Sequence, residues 1–175
     1  MELANLAGEL LVPSLHIEEI VQIAEETKMY KKLLIPLDGS ELAENALKHV
    51  EILTGTHKVK EVIFLRVIEP AAGTLYNLGT SIQERIEKEI KDYLESVADT
   101  FRKRGISAKS VVAYGPAADI ILHYAEQNDI EIIIMSTHGE SGISRFLAGS
   151  VAQRVMGHST VPVLILPPPG SRTSE

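Results

Sequence analysis

Two hydrophobic patterns alternate along the chain. Short runs rich in Ile, Val and Leu are separated by longer segments in which apolar residues recur every three or four positions. The short runs are typical of buried strands, and the longer segments are typical of amphipathic helices. This alternation predicts an α/β domain in which helices cover a parallel sheet. The predicted strands span residues 32–37, 62–68, 107–114, 130–135 and 162–166.

Helix start and stop signals lie between the predicted strands. Ser40 is the predicted N-cap of the helix that follows the first strand. The longest helix is predicted to begin at Thr80, where two capping boxes overlap, and to end at Gly105. Pro116 is predicted to lie in the first turn of the next helix. A short helix is predicted over residues 150–157.

The longest predicted helix has an apolar stripe and a charged face. We expect the stripe to be buried, and it comprises Ile82, Ile86, Ile90, Leu94, Val97 and Phe101. On the charged face, Glu84 with Lys88 and Glu87 with Lys91 have the i, i+4 spacing of ion pairs. The helix is therefore predicted to rest on the sheet with one face in solvent.

Both ends of the chain differ from the segment between them. Residues 1–29 contain two amphipathic stretches and are predicted to form a helical arm that packs on its own domain or on a partner subunit. A regulatory or targeting role for this arm is the alternative. Residues 168–175 are polar and proline-containing, and we predict that they are disordered. Residues 30–167 are then a single domain.

Composition narrows the classes of function. The 175 residues include 17 Lys and Arg against 24 Asp and Glu, for a net charge of −7, and no cysteine. Disulfides, thiolate catalysis and cysteine-ligated zinc are thereby excluded. The negative charge and an aromatic content of 5% argue against nucleic-acid binding. No apolar run reaches the roughly 18 residues of a membrane-spanning helix, so we expect a cytoplasmic protein that does not bind membranes.

Two predicted strand ends carry residues suited to ligand binding. The first strand runs into the candidate residues Pro36, Leu37, Asp38, Gly39 and Ser40. The fourth strand runs into a loop whose candidate residues are Ser136, His138, Gly139, Ser141, Gly142, Arg145, Gly149, Ser150 and Val151. Ligands of open parallel sheets bind beyond the carboxyl ends of the strands. Unpaired backbone amides at the start of the following helix predict a phosphate site in the second segment.

The charges in the second loop limit how a phosphate is held. Glu140 and Arg145 cancel, and the loop contains no lysine. A triphosphate would therefore depend on backbone amides, on the Ser141 and Ser150 hydroxyls, on Arg145 and on a divalent cation. Micromolar affinity requires about 8 kcal/mol. About four or five charge-assisted hydrogen bonds, each contributing roughly 1.5–3 kcal/mol, supply that amount.

Some of these residues also have simpler interpretations. A loop of glycine and serine can be a plain connection, and Asp38 can cap the first turn of the helix that follows Ser40. No triad or metal-ligand spacing surrounds His138, so we interpret it as a loop residue and not as a catalytic base. No catalytic residue and no metal site are predicted. The face of the sheet to which Arg66 points is not assigned by the sequence.

Several segments of the chain resemble the universal stress protein family. These segments are residues 34–40, residues 62–67, residues 135–152 and residues 161–164. The nucleotide motif of the family's ATP-binding branch is Gly, two residues, Gly, nine residues, then Gly followed by Ser or Thr. Gly139, Gly149 and Ser150 match its second half. The resemblance covers roughly residues 30–167.

This resemblance implies a fold and a ligand. The fold is a doubly wound, Rossmann-like sheet of the adenine nucleotide alpha hydrolase-like type, with five parallel strands in the order 3-2-1-4-5. The ligand is ATP with Mg²⁺ or Mn²⁺, bound between strands one and four. The family also implies a homodimer in which the last strand, residues 162–166, pairs with its copy. An apolar edge strand gives this a physical motive, since such an edge is prone to association unless it is covered.

By position, the resemblance also implies individual contacts. Adenine would meet Asp38 and the backbone of Val67, in a pocket lined by Pro36 and Leu37. Ser136 and Gly139 would lie by the ribose and phosphates, and the phosphates would be held by Gly149, Ser150 and Val151.

Two departures from the family pattern leave a second function open. Ser136 stands where the motif has its first glycine, and Glu140 stands where the family often has a basic residue. We expect an ATP-binding stress-response or regulatory factor, and the alternative is a dimeric interaction module of the same fold that binds no nucleotide. Any enzymatic activity is expected to be at most slow ATP hydrolysis or autophosphorylation, because no general base is placed.

Overall fold

The structure is a computed structural model that describes residues 30–56, 59–69, 80–136 and 149–166. The strands are β1 (Lys32–Pro36), β2 (Glu61–Ile68), β3 (Ala108–Tyr114), β4 (Ile132–Ser136) and β5 (Val163–Leu166). The helices are α1 (Glu41–Thr56), α2 (Thr80–Arg102), α3 (Ala117–Gln127) and α4 (Ser150–His158). Among these described helices, none combines the length and the apolar character needed to cross a bilayer. The predictions for the amino-terminal arm and the carboxyl-terminal tail lie outside the described residues.

The five strands form one parallel sheet in the order β3-β2-β1-β4-β5. This confirms the predicted fold and strand order. The central strand is β1, in which Leu34 lies between Ile63 of β2 and Ile133 of β4. The chain builds one half of the sheet outward from β1 and then returns to build the other half. Such a reversal leaves a crevice at the carboxyl ends of the two strands that flank it.

Helices cover both faces of the sheet. On one face α1 and α2 pack over a core that includes Phe64 and Phe101, whose ring centroids lie 5.1 Å apart. On the other face α3 and α4 pack over Leu34, Leu65 and Ile133. Every residue of β4 is buried, as its unbroken apolar run predicts for a strand covered on both faces. The crevice is therefore formed at the end of a sheet that is covered on both faces.

Helix ends largely follow the local signals. The Ser40 hydroxyl accepts the backbone N–H of Ala43 at 3.1 Å, which confirms the predicted N-cap of α1. Gly105 follows α2 with a φ of 81°. The backbone N–H groups of Gly105 and Ile106 donate to carbonyls in the last turn of α2, in the pattern of a Schellman motif. Observed strand limits differ from the predicted ones by at most two residues.

Three local predictions were wrong. Pro116 is the N-cap of α3, with φ −60° and ψ 120°, and does not lie in its first turn; an N-cap also needs no intrahelical N–H bond. Of the stripe predicted to be buried, Ile82 is 40% exposed and Ile86 and Ile90 are only partly buried. Full burial begins at Leu94, where α2 enters the core. Lys88 pairs with Asp92, with 2.5 Å between Nζ and Oδ2, and not with Glu84. Glu84 and Asp92 are each four residues from Lys88, so helical spacing allows either pair.

A charge cluster joins three strands at the amino edge of the sheet. Glu61 of β2 lies 2.6 Å from Lys109 of β3 and 3.4 Å from Lys32 of β1. The hydrogen bond from Lys109, with the charges of both lysines, lowers the pKa of the Glu61 carboxyl. These ion pairs link β1, β2 and β3 at the amino ends of the strands, which is the end of the sheet opposite the crevice.

Candidate functional site

A cavity of about 570 Å³ opens at the carboxyl ends of β1, β2 and β4. We call it the cleft, and its walls include residues 36–38, residues 65–69, residues 135–136 and residues 149–152. It lies at the point where the strand order reverses. Its volume falls in the range of small-molecule sites, about 300–1,000 Å³. The position and the size both fit a ligand-binding site.

The amino end of α4 opens onto the cleft. Gly149 is the N-cap of this helix, with φ −58° and ψ 157°, a conformation that any residue adopts. The backbone conformation therefore does not itself require glycine here. The first amides of α4 lack partners within the helix and carry partial positive charge. With the exposed Ser150 hydroxyl beside them, they can hold an anion.

Asp38 organises the turn after β1 and also lines the cleft. Its Oδ1 accepts hydrogen bonds from the backbone N–H of Ser40 at 3.0 Å and from the Ser40 hydroxyl at 2.6 Å. Gly39 between them has a φ of 82°, in the left-handed region that glycine tolerates. A local role for Asp38 is therefore observed, although it acts through Ser40 and not on the helix itself. That role holds the Asp38 carboxylate at the cleft wall.

A second helix, α3, also begins at the cleft, but its amino end already meets a carboxylate. Glu69 lies just after β2, and its Oε1 accepts the backbone N–H of Ala117, the first residue of α3, at 2.6 Å. This carboxylate satisfies one amide and offsets the positive end of the helix dipole. Of the two helices, α4 is therefore the better candidate to receive an external anion.

Arg66 is a cleft residue whose position the sequence left open. It lies near the carboxyl end of β2, is partly buried and lines the cleft. The sequence does carry a signal, since Arg66 is a basic residue at the position that follows the apolar Val62 and Phe64 at a spacing of two. The structure shows that both of these apolar residues are buried. A basic residue that continues such a face is expected to have a specific partner or ligand.

The structure brings most of the described candidate residues together. The candidates that line the cleft are Pro36, Leu37, Asp38, Val67, Ser136, Gly149, Ser150 and Val151. Gly39 and Ser40 lie in the adjoining turn and are not lining residues. The candidates that lie outside the described residues are His138, Gly139, Ser141, Gly142 and Arg145. The binding roles of all these residues stay predictions.

The chain is similar to known proteins in both sequence and structure. The sequence model described as the universal stress protein family matches residues 29–167. Universal stress protein MJ0577 of Methanocaldococcus jannaschii is 32% identical over 155 residues, which cover 79% of this chain and 95% of that protein. Its solved structure superposes with a TM-score of 0.74 at 33% identity, covering 81% of this chain and 99% of that one.

Two solved structures with lower identity share the fold. A universal stress protein in complex with cAMP has a TM-score of 0.57 at 19% identity, covering 79% of this chain and 98% of that one. A family protein from Arabidopsis thaliana with AMP bound has a TM-score of 0.59 at 13% identity, covering 83% and 96%.

Proposed function

The chain belongs to the universal stress protein family, and we propose that it binds ATP in the cleft and acts as a nucleotide-dependent stress-response or regulatory factor. The observation that carries this proposal is the position of the amino end of α4. Gly149 and Ser150 face the same cavity as the carboxyl ends of β1 and β2. A phosphate chain at α4 and a base against the two strands would occupy one continuous space.

In this proposal, different groups recognise the two ends of the nucleotide. Adenine meets Asp38 and the backbone of Val67, with Leu37 as an apolar contact. The phosphates meet the amides and hydroxyl at Gly149 and Ser150. The apolar contact favours the base through burial, and the amides favour the phosphates through the helix dipole and charge-assisted hydrogen bonds.

A Mg²⁺ or Mn²⁺ ion accompanies the nucleotide in this proposal. Within residues 30–56, 59–69, 80–136 and 149–166, no group of three or more His, Asp or Glu side chains is arranged to hold a metal ion. Magnesium is commonly bound through substrate phosphates with one or two protein carboxylates. We therefore expect the ion to enter with the triphosphate, so that its removal weakens the binding of ATP and not that of adenosine.

Ligands of two proteins with this fold support the choice of an adenine nucleotide. One is in complex with cAMP and the other has AMP bound. Both ligands combine adenine with phosphate, which are the two groups that the cleft is suited to receive.

Isothermal titration calorimetry with ATP and Mg²⁺ tests the proposal. We expect a Kd in the micromolar range for the wild-type protein, corresponding to about 8 kcal/mol. Gly149→Val adds a branched side chain at a residue that lines the cleft and is the N-cap of α4. In this proposal it should weaken binding at least about tenfold, the loss of one charge-assisted hydrogen bond. Gly157→Val is the matched control, because a Cβ added at Gly157 of the same helix meets no heavy atom within 4 Å.

Each result of this experiment has a definite meaning. Equal ATP affinity in the Gly149→Val and Gly157→Val variants would refute the role of the α4 amino end. No heat with ATP, no thermal shift and no nucleotide released from heat-denatured protein would refute ATP binding altogether. That second outcome would favour a dimeric interaction module that binds no nucleotide. ATP turnover above about one per second would instead indicate an enzyme.

We also propose that the protein is a homodimer in which residues 162–166 pair with the same strand of a second copy. The supporting observation is that β5 is an edge strand on which Leu164 is 37% exposed. Light scattering should then give twice the 19.2 kDa mass of one chain, and Leu164→Lys should give the monomer. A monomeric wild-type protein would refute this assembly.

The cytoplasm is the proposed location. The chain contains no cysteine, which fits a reducing compartment. A fluorescent fusion of the full chain tests this, and accumulation outside the cytoplasm would contradict it.

A further inference from the structure

The apolar stripe of α2 is buried unevenly. Ile82 is 40% exposed, and Ile86 and Ile90 are only partly buried. Toward the carboxyl end of the helix the stripe lies in the core, where its buried residues are Leu94, Val97, Ala98 and Phe101. The amphipathic pattern runs through all of these positions, so the amino half of α2 has a face suited to more burial than the described residues give it.

The cleft borders the partly buried part of this stripe. Ile86 and Ile90 both line the cleft. Leu37 and Ala43 line the same cavity, and both belong to the core that α1 and α2 cover. We call Leu37, Ala43, Ile86 and Ile90 the aliphatic wall, and it lies on one face of the sheet. The amino end of α4, which packs on the other face, reaches the cleft from the opposite side.

The two faces suit different parts of a nucleotide, since adenine has apolar ring faces and polar groups along its edge. Leu37 donates its backbone N–H to the Leu65 carbonyl at 2.9 Å, so alternate residues of β2 from Leu65 onward direct their backbone polar groups toward β1. Val67 is the next of these residues, and it lines the cleft just beyond that bond. A base whose edge meets the backbone of Val67 has the aliphatic wall in the same cavity for its ring face, and α4 is available to the phosphates.

The aliphatic wall presents no charge of its own. Arg66 lies on the same face of the sheet, since it follows Phe64 at a spacing of two, but its Nε and Nη1 atoms are buried. An uncharged apolar surface favours the base over the phosphates, because burying an ionised group against such a surface has a large cost.

We propose that the base of the bound nucleotide packs against Ile86 and Ile90 and thereby stabilises the amino half of α2, residues 80–92. This inference rests on the proposed binding of an adenine nucleotide. Covering the two isoleucines removes apolar surface from water, which favours binding. An opening of this part of the helix would break the same contact, so the bound ligand makes such an opening less frequent.

The outer face of the same segment is exposed and charged. Arg85 lies 3.8 Å from Glu89, and Lys88 pairs with Asp92. Exposed ion pairs of this kind contribute little to stability, so the packing beneath them decides how firmly the segment is held. A protein partner that recognises this charged face then meets a more stable helix when the nucleotide is bound.

Amide hydrogen exchange of the wild-type protein tests the effect on α2. Without ligand, we expect residues 86–92 to exchange by local opening, faster than the buried carboxyl half of the helix. Adenosine at about 100 times its Kd should slow this exchange up to about 100-fold, the factor by which the ligand disfavours an opening that releases it. Inorganic tripolyphosphate, which has no base, should leave the exchange unchanged. The segment of α1 around Ile52, which is 65% exposed and outside the described lining of the cleft, is the internal control.

Calorimetry with ATP and adenosine tests the contact itself in the wild type, Ile86→Ala and Ile52→Ala. We expect Ile86→Ala to weaken both ligands by the same factor, about 5- to 30-fold for the loss of a partly buried isoleucine. Ile52→Ala is the matched control, because it makes the same chemical change away from the cleft and should leave both affinities unchanged. Thermal unfolding is measured for each variant. If Ile86→Ala does not fold, Ile86→Val carries the comparison, with a smaller loss of about two- to fourfold.

The possible results separate this inference from the proposed function. Equal losses for ATP and adenosine, together with slower exchange in residues 86–92, would support it. No loss in Ile86→Ala, a loss for ATP without an equal loss for adenosine, or exchange in α2 that adenosine does not slow would overturn this inference and leave ATP binding standing. A wild-type protein that binds neither ATP nor adenosine would overturn the proposed function and this inference with it.

Discussion

The effect of replacing glycine with alanine can be compared at two positions, one in the left-handed region and one in a helix. Gly105 follows α2 with a φ of 81°, whereas Gly157 lies within α4. A Cβ added at either position meets no heavy atom within 4 Å beyond its own chain neighbours and helix backbone. Alanine therefore introduces no clash at either site. The change in the free energy of unfolding then reports the backbone conformation alone.

The two substitutions should shift stability in opposite directions. Gly105→Ala places a Cβ in the left-handed region, which costs about 1–2 kcal/mol. Gly157→Ala replaces a helical glycine and should stabilise the protein by about 0.5–1 kcal/mol. The two variants should thus differ by about 1.5–3 kcal/mol. For a protein of this size, that difference corresponds to roughly 3–12 °C in Tm.

Urea unfolding followed by far-ultraviolet circular dichroism measures this difference. The slope of the free energy against urea concentration should match the wild type in both variants, because neither substitution changes the surface exposed on unfolding. If both variants shift in the same direction, the left-handed conformation at Gly105 does not limit the choice of residue and the reasoning is refuted.

Three other side chains give measurable predictions. Because the pKa of Glu61 is lowered, its stabilising effect is present above the value of 4.5 for a free carboxyl and is lost as the pH falls through the lower folded value. Glu61→Gln should therefore be about 1 kcal/mol less stable than the wild type at pH 7, and in urea unfolding this difference should shrink as the pH is lowered below 4.5; a pH-independent difference would contradict this. Phe101→Ala should cost about 3–5 kcal/mol, since Phe101 is 1% exposed and packs against Phe64, and a loss in urea unfolding smaller than that of Phe101→Leu would be inconsistent with a cavity. Glu69→Gln keeps an acceptor for the Ala117 N–H but removes a negative charge from the cleft. In calorimetry it should raise ATP affinity about two- to fivefold and leave adenosine affinity unchanged, whereas weaker ATP binding would show that the carboxylate assists the ligand.

The fold was predictable because its signals are local and repeated. The run through Ile132 and Ile134 has no polar interruption, and every residue of β4 is buried as that pattern predicts. Ser40 caps α1 through the Ala43 N–H, an interaction that spans only three residues. Such signals are read within one helical turn or one strand, so the existence of the strands was predicted correctly even where their limits moved. The strand order joins distant parts of the chain, and it was predicted from the family resemblance.

The cleft was less predictable because its contacts join distant parts of the chain. The hydrogen bond that the Ala117 N–H donates to Glu69 spans 48 residues, and no local sequence pattern predicts it. Arg66 was visible as a basic residue in an apolar strand, but its face became known only when β2 was placed beneath α1 and α2. Lys88 had two acidic residues at i±4, and spacing alone does not decide between them.

The position of β1 between β2 and β4 has a consequence for the order in which the molecule is made. Leu33 pairs with Val62 on one side and with Ile132 on the other, so its second neighbour is synthesised about 100 residues later. The nascent chain can assemble β1, β2 and β3 while β4 is still inside the ribosome, because local contacts form before distant ones. Asp38 belongs to that early half and Gly149 to the late one, so no truncated product that lacks β4 and α4 contains a complete cleft. A ligand that contacts both halves would therefore stabilise their association by its binding free energy.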